Sequence, residues 1–550
     1  MRIVIVGGVA GGASAAARAR RVNADAEIII VEKGPVVSFA NCGLPYHVGG
    51  EIQDRGKLLV ATPDLFWNRF RIEVRVQNEV VSIDRKAKTI AVVEHSAEHP
   101  GGHRSELSYD RLILATGSQP TTPPQLQPLP SNAFHLWTLN DMDRIMSFIA
   151  DHAPKSAVVI GGGFVGLEVA EQLHHRQMNV TLIDRSPQVL QPIDRLFATI
   201  IEEHLESKGI RLVLNAFLSN ILKKVDRATD VELADGRTIP TDLLIVGAGV
   251  RPRISLAEQA GLTIGSHGGV VVNEHMQSSD PDIYAVGDIV ELHHGVTGQL
   301  ARIPLAGPAN RGGRIAGEHA ARGQSDPMGS ILGTAIVRVF DLTAACTGLN
   351  ESALKSKGIE YRSAIIQAAS HASYYPGAQS MQLKVLYSPF DGKILGAQAV
   401  GGEGVDKRID VIATAIHFGG TVRQLAQLDL AYAPPYGSAK DPVHMVAFAA
   451  CNDLDSAPTL IEPTALLDGK QIVDVRTQRE RQQLPLPNAI AIEIDQFAER
   501  WTELDPDLPT VVVCHSGKRA HIGACWLRNK GFKNVSNLTG GMSMRSMDAR

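Results

Sequence analysis

The sequence predicts an α/β protein of several domains, and three observations carry that expectation. A strand, a glycine-rich turn, a helix and a second strand ending in an acid occur at the N-terminus and recur after Lys155. From about Gly333 the pattern changes to longer alternating or apolar strands with less helix. After a polar, proline-bearing stretch around 451–463, read as a linker, a small α/β pattern closes the chain. At 550 residues the chain is too long for one hydrophobic core, so about three or four domains are expected.

Composition narrows the function classes. A hydrophobic share of 44% is that of a globular protein, and a formal charge of −4 argues against a general nucleic-acid binder. Local basic clusters remain available to a phosphorylated ligand. The five cysteines are Cys42, Cys346, Cys451, Cys514 and Cys525, with no Cys-x-x-Cys pair. That usage fits a reducing compartment, here the cytoplasm, and argues against a disulfide scaffold or a zinc ribbon. No metal site is expected. Met1 runs directly into an apolar strand, so no leader is expected, and no apolar run is long enough for a membrane span.

In the first unit Arg2–Val6 reads as a buried strand, Gly7-Gly8-Val9-Ala10-Gly11-Gly12 as the turn, and Ala13 to Arg21 as a helix. Ile28–Val31 is the second strand, ending at Glu32. Glycines of this kind let a pyrophosphate approach a helix N-terminus, and an acid about 20 residues on accepts from a ribose hydroxyl. Val9 stands where the middle glycine of G-x-G-x-x-G would be. In the second unit Ala157–Ile160 is the strand, and Gly161, Gly163 and Gly166 are all present. Leu167 to Arg176 is the helix, and Val180–Ile183 ends at Asp184. Asp184 favours a free 2′-hydroxyl and hence NADH, while the adjacent Arg185 leaves NADPH open. Both units are Rossmann-like. His95, His99 and His103 flank Pro100-Gly101-Gly102, which reads as a hairpin tip rather than a metal site.

Two later elements extend the first unit. Tyr109 to Gly117 is a strand ending in Ala-Thr-Gly, and Asp282 to Asp288 is a strand ending in Gly-Asp. In this order they resemble the flavin disulfide reductase family, whose Gly-Asp aspartate holds the ribityl chain of FAD. The resemblance implies that Gly7, Gly8, Ala10, Gly11, Glu32, Lys33, Asn41, Val80, Ala115, Thr116, Gly117 and Asp288 bind FAD, with Val80 beside the adenine. It implies likewise that Gly161, Gly163, Gly166 and Asp184 bind the nicotinamide nucleotide.

The stretch Ser38-Phe39-Ala40-Asn41-Cys42-Gly43-Leu44-Pro45-Tyr46 carries one cysteine where an internal redox pair would need two. A disulfide at Cys42 therefore needs its other half from outside. Pro45 suits the first turn of a helix, and a helix N-terminus lowers a thiol pKa. Together with Tyr432-Ala433-Pro434-Pro435-Tyr436, this stretch makes residues 1 to about 450 similar to coenzyme A-disulfide reductases and their single-cysteine relatives. That resemblance implies coenzyme A held by Arg21, Ser38 and Asn41, with Tyr374, Tyr432 and Lys440 supplied by the partner subunit of a homodimer.

Near the C-terminus Thr510–Val513 leads into Cys514-His515-Ser516-Gly517-Lys518-Arg519 and then a helix from Ala520 to Lys530. A cysteine at a strand end with a glycine-bearing loop is an anion cradle for a thiolate or persulfide. With Asp474-Val475-Arg476 as an early marker, it resembles a rhodanese domain. Four residues separate Cys514 from Arg519, against five in related phosphatases, which favours sulfane sulfur over phosphate. Cys514 and Arg519 are the expected catalytic residues there. Cys346 and Cys525 read as core, and Cys451 as linker.

The expected organisation is an FAD-binding domain over 1–150, an NAD-binding domain over 151–270 and a return to the FAD domain over 271–330. A dimerisation domain over 331–450 and a rhodanese domain over 460–550 follow. The expected activity is FAD-dependent reduction of coenzyme A persulfide, polysulfide or coenzyme A disulfide by NAD(P)H at Cys42, with sulfurtransfer at Cys514. The alternatives are an NADH oxidase or peroxidase cycling Cys42 through a sulfenic acid, and a non-catalytic redox sensor or sulfur carrier. No nucleic acid or membrane partner is expected.

Overall fold

The computed structural model describes residues 1–95 and 102–548. The chain divides into two compact units, Met1–Pro187 with Gly209–Ile331, and Gln188–Lys208 with Leu332–Arg550.

The first unit holds two five-stranded parallel sheets. One runs Ile283–Ala285, Arg111–Leu114, Arg2–Val6, Glu27–Val31, Glu73–Arg75. Ile3, Val4 and Ile5 are fully buried, as expected where a parallel strand is covered on both faces. The strand that precedes Asp288 thus returns to the sheet begun at residue 2. The helix Gly11–Val22 starts two residues earlier than the sequence suggests, because the glycine turn feeds straight into it. The other sheet runs Arg211–Val213, Asn179–Ile183, Ser156–Ile160, Leu243–Val246, Ala133–Phe134. Ala133–Phe134 therefore belongs with the second nucleotide unit's sheet. Thr89–Glu94 and His103–Ser108 pair antiparallel, and Pro100 and Gly101 of the expected tip fall outside the described residues. His95 lies 3.5 Å from Glu79, and His99 falls outside the described residues.

In the second unit an antiparallel sheet runs Ala335–Val339, Leu342–Gly348, Ile394–Gly401, Ser380–Tyr387, Arg362–Ala369. The helices Val405–His417 and Pro442–Leu454 pack against it. The stretch Gln188–Lys208 belongs to this unit and not to the second nucleotide sheet. Its anchor is a buried ion pair: Lys384 is 0% exposed and meets Asp194 at 2.9 Å, and also pairs with Glu351. A buried ammonium needs such carboxylates, since uncompensated burial of a charge is costly. A last parallel sheet runs Thr459–Ile461, Val535–Leu538, Thr510–Val513, Gln471–Asp474, Ile490–Ala491.

Two sequence readings need correction here. Cys451 is not linker: it sits in the helix Pro442–Leu454, which continues through Asn452 and Asp453. The polar residues that suggested a linker form a network instead. Buried Asp453 accepts from Tyr387 Oη at 2.8 Å, Arg362 Nη1 at 3.1 Å and Leu460 N at 2.6 Å. Cys525 is half-buried rather than core, on the helix Lys518–Asn529. Cys346 is buried as expected.

Candidate active sites

The two nucleotide turns are built alike. Glu32 accepts from Gly8 N and Gly34 N, both at 2.8 Å, and Asp184 accepts from Gly162 N at 2.5 Å and Ser186 N at 2.7 Å. Each carboxylate thus braces its own turn and keeps a lone pair on each oxygen for a ribose hydroxyl. A Cβ on Gly12 would sit 1.8 Å from Gly7 O, and one on Gly166 would sit 1.8 Å from Gly161 O. Gly12 is therefore the counterpart of Gly166, a position the sequence reading missed although its spacing from Gly7 matches that of Gly166 from Gly161. Nothing lies within 4 Å of a Cβ at Gly163, which leaves the backbone there open to a phosphate.

Asp288 lies in a 3-10 turn, Gly287–Ile289, and burial pushes its carboxyl above the ordinary range. Ser118 Oγ is buried and faces the Asp288 carboxyl, and Arg302 Nη1 is buried without a hydrogen-bond partner. Ser118 and Arg302 are among the groups that act on the Asp288 carboxyl, so a donor, an acceptor and a cation converge there. That set fits the hydroxyl and phosphate groups of FAD. Among the other expected cofactor residues, Val80 is buried at 6% exposure in the strand Asn78–Asp84, and Ala115 N donates to Val6 O at 2.8 Å. Thr116 Oγ1 donates to Arg253 O at 2.7 Å, and Gly117 has a φ of +64° with open space around it. Ala10 caps and Gly11 opens the first helix. Lys33 turns to Glu79 at 2.7 Å, and its ammonium holds the Glu79 carboxyl below the usual range.

Cys42 is exposed in a 3-10 turn, Asn41–Gly43, directly before the helix Leu44–Gly49, which carries Pro45 in its first turn. Its thiol donates to Asn41 Oδ1 at 3.6 Å. The expected lowering of its pKa does not appear. Crowding by the protein around an accessible sulfur pushes the thiol up, and the Glu168 carboxylate adds to that push. Glu168 lies on Phe164–His175, the helix of the second nucleotide unit, and accepts from Tyr46 Oη at 3.0 Å. Sequence reasoning missed this carboxylate because 126 positions separate it from Cys42. The short helix counts for less than burial and a like charge. Nearby, Glu51, Glu171 and His175 bring ligand atoms within 4.8 Å of one another, with Gln172 Nε2 donating to Glu51 at 2.8 Å.

The expected coenzyme A residues fall into two groups. Arg21, Ser38 and Asn41 belong to the first unit, Tyr374, Tyr432 and Lys440 to the second. The two arginines at the helix end separate in role. Arg20 caps backbone carbonyls, including Phe70 O at 2.7 Å, whereas Arg21 is exposed and lies over the Phe70 ring at 5.7 Å. Ser38 is buried with a φ of +49°, an uncommon conformation for a non-glycine residue that accompanies functional sites. Tyr374 and Tyr432 are 75% and 48% exposed, yet their hydroxyls meet at 3.1 Å. Below them Arg408, 1% exposed, donates to Asp441 Oδ2 at 2.7 Å and Ser370 O at 2.8 Å, tying both tyrosine-bearing loops to one guanidinium. Lys440 is exposed.

Cys514 ends the strand Thr510–Val513 and is 1% exposed. Its sulfur accepts from Gly517 N at 3.1 Å, and Gly517 has a φ of +90° as the cap of the helix Lys518–Asn529. The Arg519 guanidinium is held by both oxygens of Glu480, at 2.8 and 2.5 Å, and Cys514 also favours its charge. Glu480 closes a capping box with Thr477 on the helix Gln478–Gln483. The loop thus presents a backbone N–H and a fixed cation to one sulfur, as a sulfurtransferase needs.

The profile of the pyridine nucleotide-disulphide oxidoreductases matches residues 1–313. The chain belongs to this family. The dimerisation domain of the same oxidoreductases matches residues 334–442, and a rhodanese-like domain matches 462–544. The coenzyme A disulfide reductase of Staphylococcus aureus strain JH9 is 35% identical over 449 residues, covering 82% of this chain and 99% of that protein. The Bacillus anthracis structure described as reduced CoADR-RHD superposes with a TM-score of 0.94 at 41% identity, covering 99% and 98% of the two chains. An NAD-dependent persulfide reductase from A. fulgidus superposes with a TM-score of 0.92 at 38% identity, covering 99% and 100%. This oxidoreductase is thus a flavoprotein of a pyridine nucleotide-dependent family with a rhodanese-like domain attached. A water-forming NADH oxidase from Lactobacillus brevis shares the fold at 24% identity over 83% of this chain. Among the described residues no helix is long and apolar enough to cross a membrane.

Proposed function

We propose that this oxidoreductase uses NADH to reduce coenzyme A persulfide, polysulfide or coenzyme A disulfide at Cys42, and that Cys514 supplies sulfane sulfur. One observation carries the reading: an accessible, unpaired thiol beside two nucleotide folds shares its chain with a second cysteine cradled for sulfur transfer. Relatives that span both parts are described as CoADR-RHD and as an NAD-dependent persulfide reductase, which favours these substrates over dioxygen or peroxide.

Bound FAD supplies the two-electron link between the nicotinamide and sulfur. The residues of the chain do the rest. Gly161, Gly163, Gly166 and Asp184 receive NADH, with Asp184 accepting from the ribose 2′-hydroxyl. The Cys42 thiolate attacks the sulfur of the substrate, forming a mixed disulfide and releasing a coenzyme A thiolate or hydrosulfide. Arg21 and Ser38 hold coenzyme A together with Tyr374, Tyr432 and Lys440 of a partner copy, so the working enzyme is a homodimer in the cytoplasm. At Cys514 the thiolate takes a sulfane sulfur, and a coenzyme A thiolate removes it as coenzyme A persulfide.

Two variants test the reading. Cys42→Ser abolishes NADH-dependent reduction of coenzyme A disulfide and persulfide while flavin stays bound; full turnover in this variant refutes the role of Cys42. Cys514→Ser removes sulfurtransfer from thiosulfate to cyanide and leaves coenzyme A disulfide reduction intact. Loss of both activities in a folded Cys514→Ser protein refutes independent sites.

A further inference from the structure

The segment that follows the last strand of the rhodanese-like domain bonds on two sides. On one side it grips the Cys514 loop: Met542 N donates to Cys514 O at 2.8 Å and Ser543 N to His515 O at 2.9 Å, and from the strand itself Asn537 Nδ2 donates to Gly517 O at 3.2 Å. In a trans peptide the N–H points opposite to the C=O. Holding the carbonyls of Cys514 and His515 therefore turns the N–H groups of His515 and Ser516 away from that segment.

On the other side the same segment grips the dimerisation sheet. The strand Arg362–Ala369 is that sheet's edge, and Ile365 directs both backbone groups outward to it. Ile365 N donates to Thr539 Oγ1 at 2.7 Å, while Ile365 O accepts from Gly540 N at 3.0 Å and from the Thr539 hydroxyl at 3.2 Å. Two residues earlier on the strand, Ser363 Oγ donates to Glu462 at 2.5 Å. Thr539 is 2% exposed, so water does not compete for these bonds. Beyond Ala369 the same strand leads into Ser370 and on to Tyr374. One stretch of backbone thus carries both the attachment of the sulfurtransfer loop and a residue expected to hold coenzyme A.

We infer that Thr539 is a positioning residue for sulfur hand-over: its hydroxyl sets the Cys514 loop against the strand that leads to Tyr374. The inference rests on the reading that Cys514 feeds sulfur to coenzyme A for reduction at Cys42. The steps balance. Thiosulfate gives its outer sulfur to the Cys514 thiolate, releasing sulfite and leaving a persulfide. A coenzyme A thiolate attacks the outer sulfur of that persulfide and frees the Cys514 thiolate. Coenzyme A persulfide anion, NADH and a proton then give coenzyme A thiolate, hydrogen sulfide and NAD⁺.

The test uses the full-length flavoprotein with Thr539→Val, which keeps shape and removes the hydroxyl, and Thr539→Ser, which restores it. Three rates are read: thiosulfate-to-cyanide transfer, NADH-dependent coenzyme A disulfide reduction, and NADH oxidation driven by thiosulfate with catalytic coenzyme A. Thr539→Val is expected to lower the coupled rate at least fivefold with the two separate rates within twofold, and Thr539→Ser to recover it. An unchanged coupled rate in Thr539→Val, or an equal fall in thiosulfate-to-cyanide transfer, overturns the positioning role. A wild-type protein with both separate activities and no coupled turnover overturns the relay itself, and this inference with it.

Discussion

Replacing Arg408 with methionine should disable the coenzyme A site from below without touching a residue that faces it. Arg408 is 1% exposed and Asp441 3% exposed, and the guanidinium makes two bonds to that carboxylate, at 2.7 and 3.2 Å. It also donates to Ser370 O at 2.8 Å and Gly404 O at 3.2 Å. Methionine fills much of the volume but leaves the Asp441 carboxylate buried with Val443 N, at 3.0 Å, as its remaining partner in this cluster. Breaking one side of a buried ion pair costs about 3–5 kcal/mol. The loss should appear locally, as amide exchange in the helix Val405–His417 faster by roughly a hundredfold or more. Ser370 leads to Tyr374, and Asp441 follows the loop that carries Tyr432. Losing the tether should raise the KM for coenzyme A disulfide at least tenfold, while thiosulfate-to-cyanide transfer at Cys514 stays within twofold. Adding Asp441→Asn should recover much of the exchange protection, because no bare charge is then left behind. Exchange and KM both at wild-type values in Arg408→Met would refute the reasoning.

Two further predictions concern the two cysteines. Glu168→Gln keeps an acceptor for Tyr46 Oη and removes the carboxylate that helps hold the Cys42 thiol up. The midpoint of Cys42 alkylation against pH, read by peptide mass spectrometry, should fall; a rise or no change would contradict the assigned role of Glu168. At the other site, hydrogen bonding to Arg519 pulls the Glu480 carboxyl down to about 2. A carboxyl lowered on folding adds stability above its unfolded value near ~4.3, and that stability is lost as pH falls toward the folded value. Allowing for solvent around the pair, the contribution is at most about 1 kcal/mol. Glu480→Gln should therefore destabilise the rhodanese-like domain at pH 7 and flatten its loss of stability between about pH 4.5 and 2. An acid profile identical to wild type would count against the ion pair.

What could be read from the sequence was local. The strand–turn–helix–acid units announce themselves because the bonds that build them, such as Glu32 to Gly8 N, join residues within one βαβ repeat. The Cys514 loop is legible for the same reason, its sulfur and Gly517 N being three positions apart. The misreadings come from partners far away in the chain. Asn452 and Asp453 look like a solvated linker until Tyr387 and Arg362 arrive beside Asp453. The stretch around Asp194 gives no sign of the ion pair it forms, because its partner Lys384 lies 190 positions on. Cys42 looks activated by its helix until Glu168 and the surrounding protein are counted.

The fit of Thr539 and Gly540 onto Ile365 has a bearing on solubility as well as on sulfur traffic. The Arg362–Ala369 strand has one charged residue in eight, and an open border of that kind invites strand-to-strand polymerisation between molecules. Here the appended domain takes up the outward N–H and C=O of Ile365. A chain ended at Leu454 would uncover them, so trimming this protein to its reductase half should trade a sulfur supply for a tendency to self-associate.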